Sequence, residues 1–111
     1  MNGERIAAIL AALANPQRLR VVAALTAGRS YVSQLARDLS MSRPLLYMHL
    51  RRLEAAGLVE GHLELGDDGK AMKFYEVRPF DVRLTPELVV EAARTLASTG
   101  DSQASGEGAA R

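Results

Sequence analysis

A chain of 111 residues without a single cysteine fits one domain of ordinary size, and it excludes disulfides, thiolate metal sites and thiol redox chemistry together. Hydrophobic residues make up 48% and charged residues 24%, ordinary values for a globular protein, and no apolar run approaches the roughly 20 residues of a membrane span. The net charge of +1 conceals a split: residues 1–56 hold eight Lys/Arg and three Asp/Glu (+5), residues 57–111 six and ten (−4), a hint of nucleic-acid contact on one part of the surface.

Glu4 to Ala14 reads as an amphipathic helix, with Ile6, Ile9, Leu10 and Leu13 in one stripe and mostly alanine elsewhere. A helix so poor in charge needs a partner surface. Glu4 and Arg5 interrupt the apolar start, so it is not patterned as a signal peptide, and a cytoplasmic protein is the expectation. Asn15-Pro16 marks a boundary: an N-cap, then a proline at the first helical position. The second helix runs from Pro16 to about Thr26, with Leu19, Val22 and Leu25 expected inward and Arg18 and Arg20 outward. Tyr31 to Leu39 is a short third helix, and Ser40-Met41-Ser42 a tight turn.

Ser42 to Gly57 organises the chain. Ser42 caps, Pro44 is tolerated in the first turn, and Gly57 closes the helix. Leu46, His49, Leu50 and Leu53 share one face by their i, i+3, i+4, i+7 spacing. The opposite side carries Tyr47, Met48, Arg51 and Arg52, with Arg43 from the first turn. Two short helices at a sharp turn, the second basic, form a helix-turn-helix, with this helix aimed at the DNA major groove. Its outer face predicts contacts from Ser42, Arg43, Tyr47, Met48, Arg51 and Arg52.

From Leu58 the period changes to two. Val59, Leu63 and Leu65 alternate with Glu60, His62 and Glu64, and Gly66-Asp67-Asp68-Gly69 is a turn. Lys70 to Val77 returns as a second strand; either Met72 and Phe74 or Tyr75 and Val77 face inward. This hairpin stands where a wing stands, with Lys70 and Lys73 available to phosphate behind an acidic tip. Thr85-Pro86-Glu87 opens a last helix with a broad stripe of Leu88, Val89, Ala92, Ala93 and Leu96. Residues 98–111, without a large apolar side chain, are expected to be disordered, leaving a domain of residues 1–97.

This order of elements, mainly α with a small β-hairpin, is that of a winged helix-turn-helix domain. The stretch LANPQRLRVVAAL, Leu13 to Leu25, resembles the second-helix signature of ArsR-type bacterial transcriptional regulators. VSQLARDLSMSRPLLYMHLRRLEAAGLV, Val32 to Val59, resembles their helix-turn-helix, His49-Leu50 and Leu53 through Val59 included. Gly69, Lys70 and Tyr75 loosely echo the family's second wing strand. The resemblance covers roughly residues 5–97. It implies a homodimer joined through the first and last helices, with Ile6, Ile9, Leu10, Leu13, Leu88, Val89, Ala92 and Leu96 at the interface. It also implies double-stranded DNA as partner, repression by operator occlusion, and an unknown small-molecule or protein effector.

Many such relatives sense metals through third-helix cysteines, where this chain has Tyr31 and Ser33, or through His and carboxylates of the last helix, which here has Glu87 and Glu91 but no His. With only His49 and His62 in the chain, no metal site and no cofactor are expected. No nucleophile lies near a base and no Gly-rich phosphate loop is present, so an enzyme is not expected. The other reading is a winged-helix protein-interaction module using Leu45, Met48, Tyr47 and the acidic wing tip.

Overall fold

The computed structural model describes residues 1–104, with side chains to residue 96. Its elements are α1 (Gly3–Leu13), α2 (Pro16–Thr26), β1 (Ser30–Tyr31), α3 (Val32–Leu39), α4 (Arg43–Ala55), β2 (Val59–Leu65), β3 (Ala71–Val77) and α5 (Pro86–Ala104). Two compact units emerge: Ile9–Phe80, and Met1–Ala8 with the chain from Asp81 onward.

In the first unit, the core is built from Val21, Leu25, Leu35, Leu46, Leu50, Leu53, Leu58, Val59 and Tyr75, all almost fully enclosed. Local signals set the helix starts as expected. The Asn15 side chain accepts from the amides of Gln17 and Arg18 ahead of α2, and Ser42 Oγ accepts from Leu45 N at 3.3 Å ahead of α4. α3 ends on Ser40, which adopts a left-handed conformation (φ 53°) and turns the chain into α4. Gly57 (φ 77°) closes α4 and starts the sheet.

Two expectations need correction here. The inward face of α2 is Val21 and Leu25; Leu19 is 53% exposed. The shift follows from Arg18, whose half-buried side chain occupies the inner side by donating from Nε to the Ala12 carbonyl at 2.7 Å. Tyr31 does not begin α3: with Ser30 it forms β1, which pairs antiparallel with β3, so the hairpin is part of a three-stranded sheet ordered β1-β3-β2. The strand expected from Leu58 to Leu65 forms as β2, and its Leu63 and Leu65 are 72% and 74% exposed on the outer half of the hairpin.

The open choice on β3 resolves because it is the central strand. Tyr75 and Phe74 point to opposite faces and both are buried. Tyr75 lies across Gly61, where a Cβ would come within 2.8 Å of its ring. Phe74 is covered on its own face by Tyr31 edge-on (centroids 5.9 Å apart), by the stacked His62 ring (5.2 Å) and by the Arg29 guanidinium (4.1 Å). At the hairpin tip, Gly66 N donates to Lys70 O, Asp68 Oδ1 accepts from Lys70 N at 3.0 Å, and Gly69 takes φ 81°. Asp68 is therefore a turn-forming residue.

In the second unit the first turn of α1 meets α5. Gly3 N donates to Thr95 Oγ1 at 2.7 Å, and a Cβ on Gly3 would collide with Ala92 O and the Leu96 side chain. Thr85 caps α5 by accepting from Leu88 N at 3.0 Å. Within this unit the stripes on the two terminal helices are thus partly satisfied: Ile6 and Ala92 are buried and Leu88 half-buried, while Ile9, buried, and Leu13, half-buried, belong to the first unit. Leu10, Val89, Val90 and Leu96 remain exposed. α5 continues to Ala104, past the expected domain end at residue 97. No proline or capping break follows Ser98, and an established helix tolerates one glycine, Gly100, at about 1 kcal/mol. The rest of the expected tail, residues 105–111, lies outside the described residues.

Candidate nucleic-acid interface

α4 turns one row outward at i, i+4, i+8: Arg43 and Arg51 exposed, with Tyr47 half-buried between them. The row spans about 12 Å along the helix axis. Met48 (45% exposed) and Arg52 form the adjacent row, and Leu45 is exposed beside them. Among the described residues, the side chains of Arg43, Arg51 and Arg52 have neither ion pair nor hydrogen bond. Beneath them Leu46, Leu50 and Leu53 anchor the helix, so this row stands on a rigid element.

Arg43 and Tyr47 also line a notch of about 160 Å³, shared with Tyr31, Val32, Ser33, Met72 and Lys73. Residues singled out on the helix and on the wing thereby meet at one place. Two cations with tyrosine and serine hydroxyls around a cavity of this size suit a single anionic group such as a phosphate. Lys73 Nζ lies 5.5 Å over the Tyr75 ring, which holds its stem against the sheet. Lys70 sits on the turn and does not line the notch; Ser42 spends its hydroxyl on the cap.

Tyr31, Ser33 and Met72 had no signal in the sequence as lining residues: Tyr31 reaches the notch from the two-residue strand β1, and Ser33 from the first turn of α3 directly after it. The Tyr31 hydroxyl donates to Glu64 Oε1 at 2.5 Å. That bond raises the Tyr31 pKa and lowers that of Glu64, to which nearby Arg29 adds. At the position where a cysteine would bind metal in relatives, this chain thus has a phenol tied to a carboxylate.

His49 lies on the inner side of α4, buried as expected. Its Nδ1 is 3.3 Å from an Arg18 nitrogen. Burial first, and the Arg18 charge second, lower its pKa, so it serves as a neutral acceptor for the guanidinium.

Residues 15–61 match the family model described as bacterial regulatory protein, arsR family. An HTH-type transcriptional regulator of Methanocaldococcus jannaschii, itself uncharacterized, is 36% identical over 78 residues, 70% of this chain and 81% of the relative. Among solved structures, the fold is similar to the homodimeric winged helix-turn-helix DNA-binding domain of a possible ArsR-family regulator from Mycobacterium bovis (TM-score 0.57, 22% identity, 94% of this chain and 83% of that one). It is also similar to NolR from Sinorhizobium fredii (TM-score 0.56, 23% identity, 88% and 83%). The chain belongs to the ArsR family: it is a transcriptional regulator on a winged helix-turn-helix DNA-binding fold.

Proposed function

We propose that this regulator acts in the cytoplasm as a homodimeric repressor. It occludes a pseudo-palindromic operator with two copies of α4 and responds without the third-helix thiolates or last-helix histidines of metal-sensing relatives. Arg43, Tyr47, Met48, Arg51 and Arg52 read or grip DNA, Ser42 presents the helix start, and Lys73, with Lys70 further out, reaches phosphate from the wing. The observation that carries this reading is the row of unpaired cations on a rigidly anchored helix, with Arg43 and Lys73 flanking one anion-sized notch. Exposed Leu10, Val89, Val90 and Leu96 on the terminal helices supply apolar surface for the second subunit. An effector acts here by changing the distance between the two recognition helices.

The exposed Leu45 and Met48 fit a protein-docking surface as well as they fit thymine methyls. The acidic wing tip lends that reading little, since Asp68 is engaged in the turn.

Selection of bound duplexes from genomic fragments identifies the operator and decides between the two. On that operator, Arg43→Ala and Arg51→Ala are each expected to weaken binding by about 1–3 kcal/mol, roughly 5- to 150-fold, and a lost phosphate contact flattens the salt dependence by about one unit of slope. Undiminished binding in both variants sinks the assignment.

A further inference from the structure

On the outer face of the sheet, β2 contributes Glu60 and His62, two residues apart and therefore on one side of the strand. Glu76 of β3 stands directly opposite Glu60 in the antiparallel register. Two carboxylates facing each other across a strand pair repel, so the arrangement calls for a cation between them. Arg78 answers part of that demand: it donates to Glu60 Oε1 at 3.0 Å and leaves Oε2 turned toward His62. His62 Nε2 lies 3.6 Å from Glu60 Oε2 and 2.9 Å from Glu76 Oε2. This nitrogen is sealed from solvent yet forms no hydrogen bond: the Glu76 oxygen is close enough for an ionic contact but lies off the line that a hydrogen bond requires.

We propose that Glu60, His62 and Glu76 form a binding site for a divalent first-row metal ion of the zinc class, clamping β2 to β3 at the base of the wing. The three donor atoms all lie within 4.8 Å of one another. An ion 2.0–2.2 Å from each of three tetrahedral ligands sets them about 3.4 Å apart, and the separations of 2.9 and 3.6 Å bracket that value. Imidazole with two carboxylates and no thiolate suits zinc and its neighbours rather than a soft ion such as copper(I). The supports around the ligands are in place. Arg78 orients one carboxylate, and stacking on Phe74 fixes the imidazole ring. The three side chains are 35–45% exposed, so the cluster lies at the surface, where an ion can reach it. The site is built from β2 and β3 alone and uses neither Tyr31 nor Ser33 as a ligand, and it stands independently of DNA binding.

The chain has two histidines and no cysteine, which makes the test direct. Zinc is titrated into the full, tag-free chain in competition with a chromophoric chelator, while the imidazole nitrogens are followed by NMR. One equivalent should bind per chain, shifting the His62 resonances and leaving those of His49 in place. His62→Ala and Glu76→Gln should each weaken binding at least about tenfold, the lower end of the loss seen even for ligand-supporting residues. Failure to bind a stoichiometric ion in the micromolar range overturns the proposal. So does binding that leaves the His62 resonances unmoved, a result read on the unmutated chain and independent of how the variants fold. An affinity unchanged in His62→Ala overturns it equally.

Discussion

The recognition helix and the wing dispose of charged and apolar side chains in opposite ways. α4 buries Leu46, Leu50 and Leu53 and leaves the side chains of Arg43, Arg51 and Arg52 without partners. The wing exposes Leu63 and Leu65 and has its carboxylates Glu64 and Glu60 met by Arg29 and Arg78. Net charge therefore says little about where a polyanion docks. What distinguishes α4 is charge left unspent on a surface whose other side is locked in a core. In the wing, the distal leucines have no layer behind them, and strand alternation there does not mark an interior.

The largest effect expected from this contrast is on stability. Leu50→Ala removes a fully enclosed side chain beneath the helix and should cost about 2–5 kcal/mol. Leu63→Ala, on the exposed half of the wing, should stay within about 0.5 kcal/mol. Denaturant melts of the two variants check both. A comparable loss in Leu63→Ala would mean that the wing's outer leucines are covered in solution, and the contrast between the regions would fail.

The same contrast explains what could be read in the sequence. The caps Asn15, Ser42 and Thr85, and the buried face Leu46–His49–Leu50–Leu53, are local: each needs only the next three or four residues, so spacing reveals them. Val21 displaced Leu19 on the inner face of α2 because Arg18 reaches the Ala12 carbonyl and His49, and His49 lies 31 residues away. β1 is two residues long, too short to show alternation, yet it brings Tyr31 into the notch, and the first turn of α3 directly after it brings Ser33. The cluster Glu60, His62 and Glu76 depends on the register of β2 against β3, and the turn that sets this register hides the facing pair from any reading along the chain. Arg43, Tyr47 and Lys73 were each visible singly. Their convergence was not, because it depends on how the wing returns past α4.

The two histidines carry the comparison into pH. His49, beneath the helix, has a lowered pKa from burial and from Arg18. Below the ordinary histidine value of about 6.5, the unfolded chain takes up a proton that folded His49 resists. Its contribution to stability is full above that value and is lost as pH falls toward the folded value. The denaturation midpoint should therefore drop between pH 7.5 and pH 5.0, above the range in which Glu64, with its lowered pKa, begins to protonate. His49→Gln should flatten the profile across this interval. A profile equally steep in that variant would place the titrating group elsewhere.

The smallest effect concerns the two turns that set the two regions. Both need a residue at positive φ: Ser40 (φ 53°) between α3 and α4, and Gly69 (φ 81°) at the wing tip. Glycine adopts this conformation freely, whereas a residue with a Cβ gives up about 1–2 kcal/mol there. The wing uses the residue its turn demands and the helix-turn-helix does not. Ser40 is exposed, and its backbone N–H is held by the Arg37 carbonyl, a bond that glycine preserves. Ser40→Gly relieves the left-handed cost and returns about 0.4–1 kcal/mol through greater freedom of the unfolded chain. The net should be a gain of about 0.5–1 kcal/mol, with Gly69→Ala moving the other way by a similar amount. Thermal melts of both variants measure the pair. A loss in Ser40→Gly would mean that the serine hydroxyl stabilises the turn by more than the strain it carries, so that the turn into the recognition helix is held by the side chain and not merely tolerated.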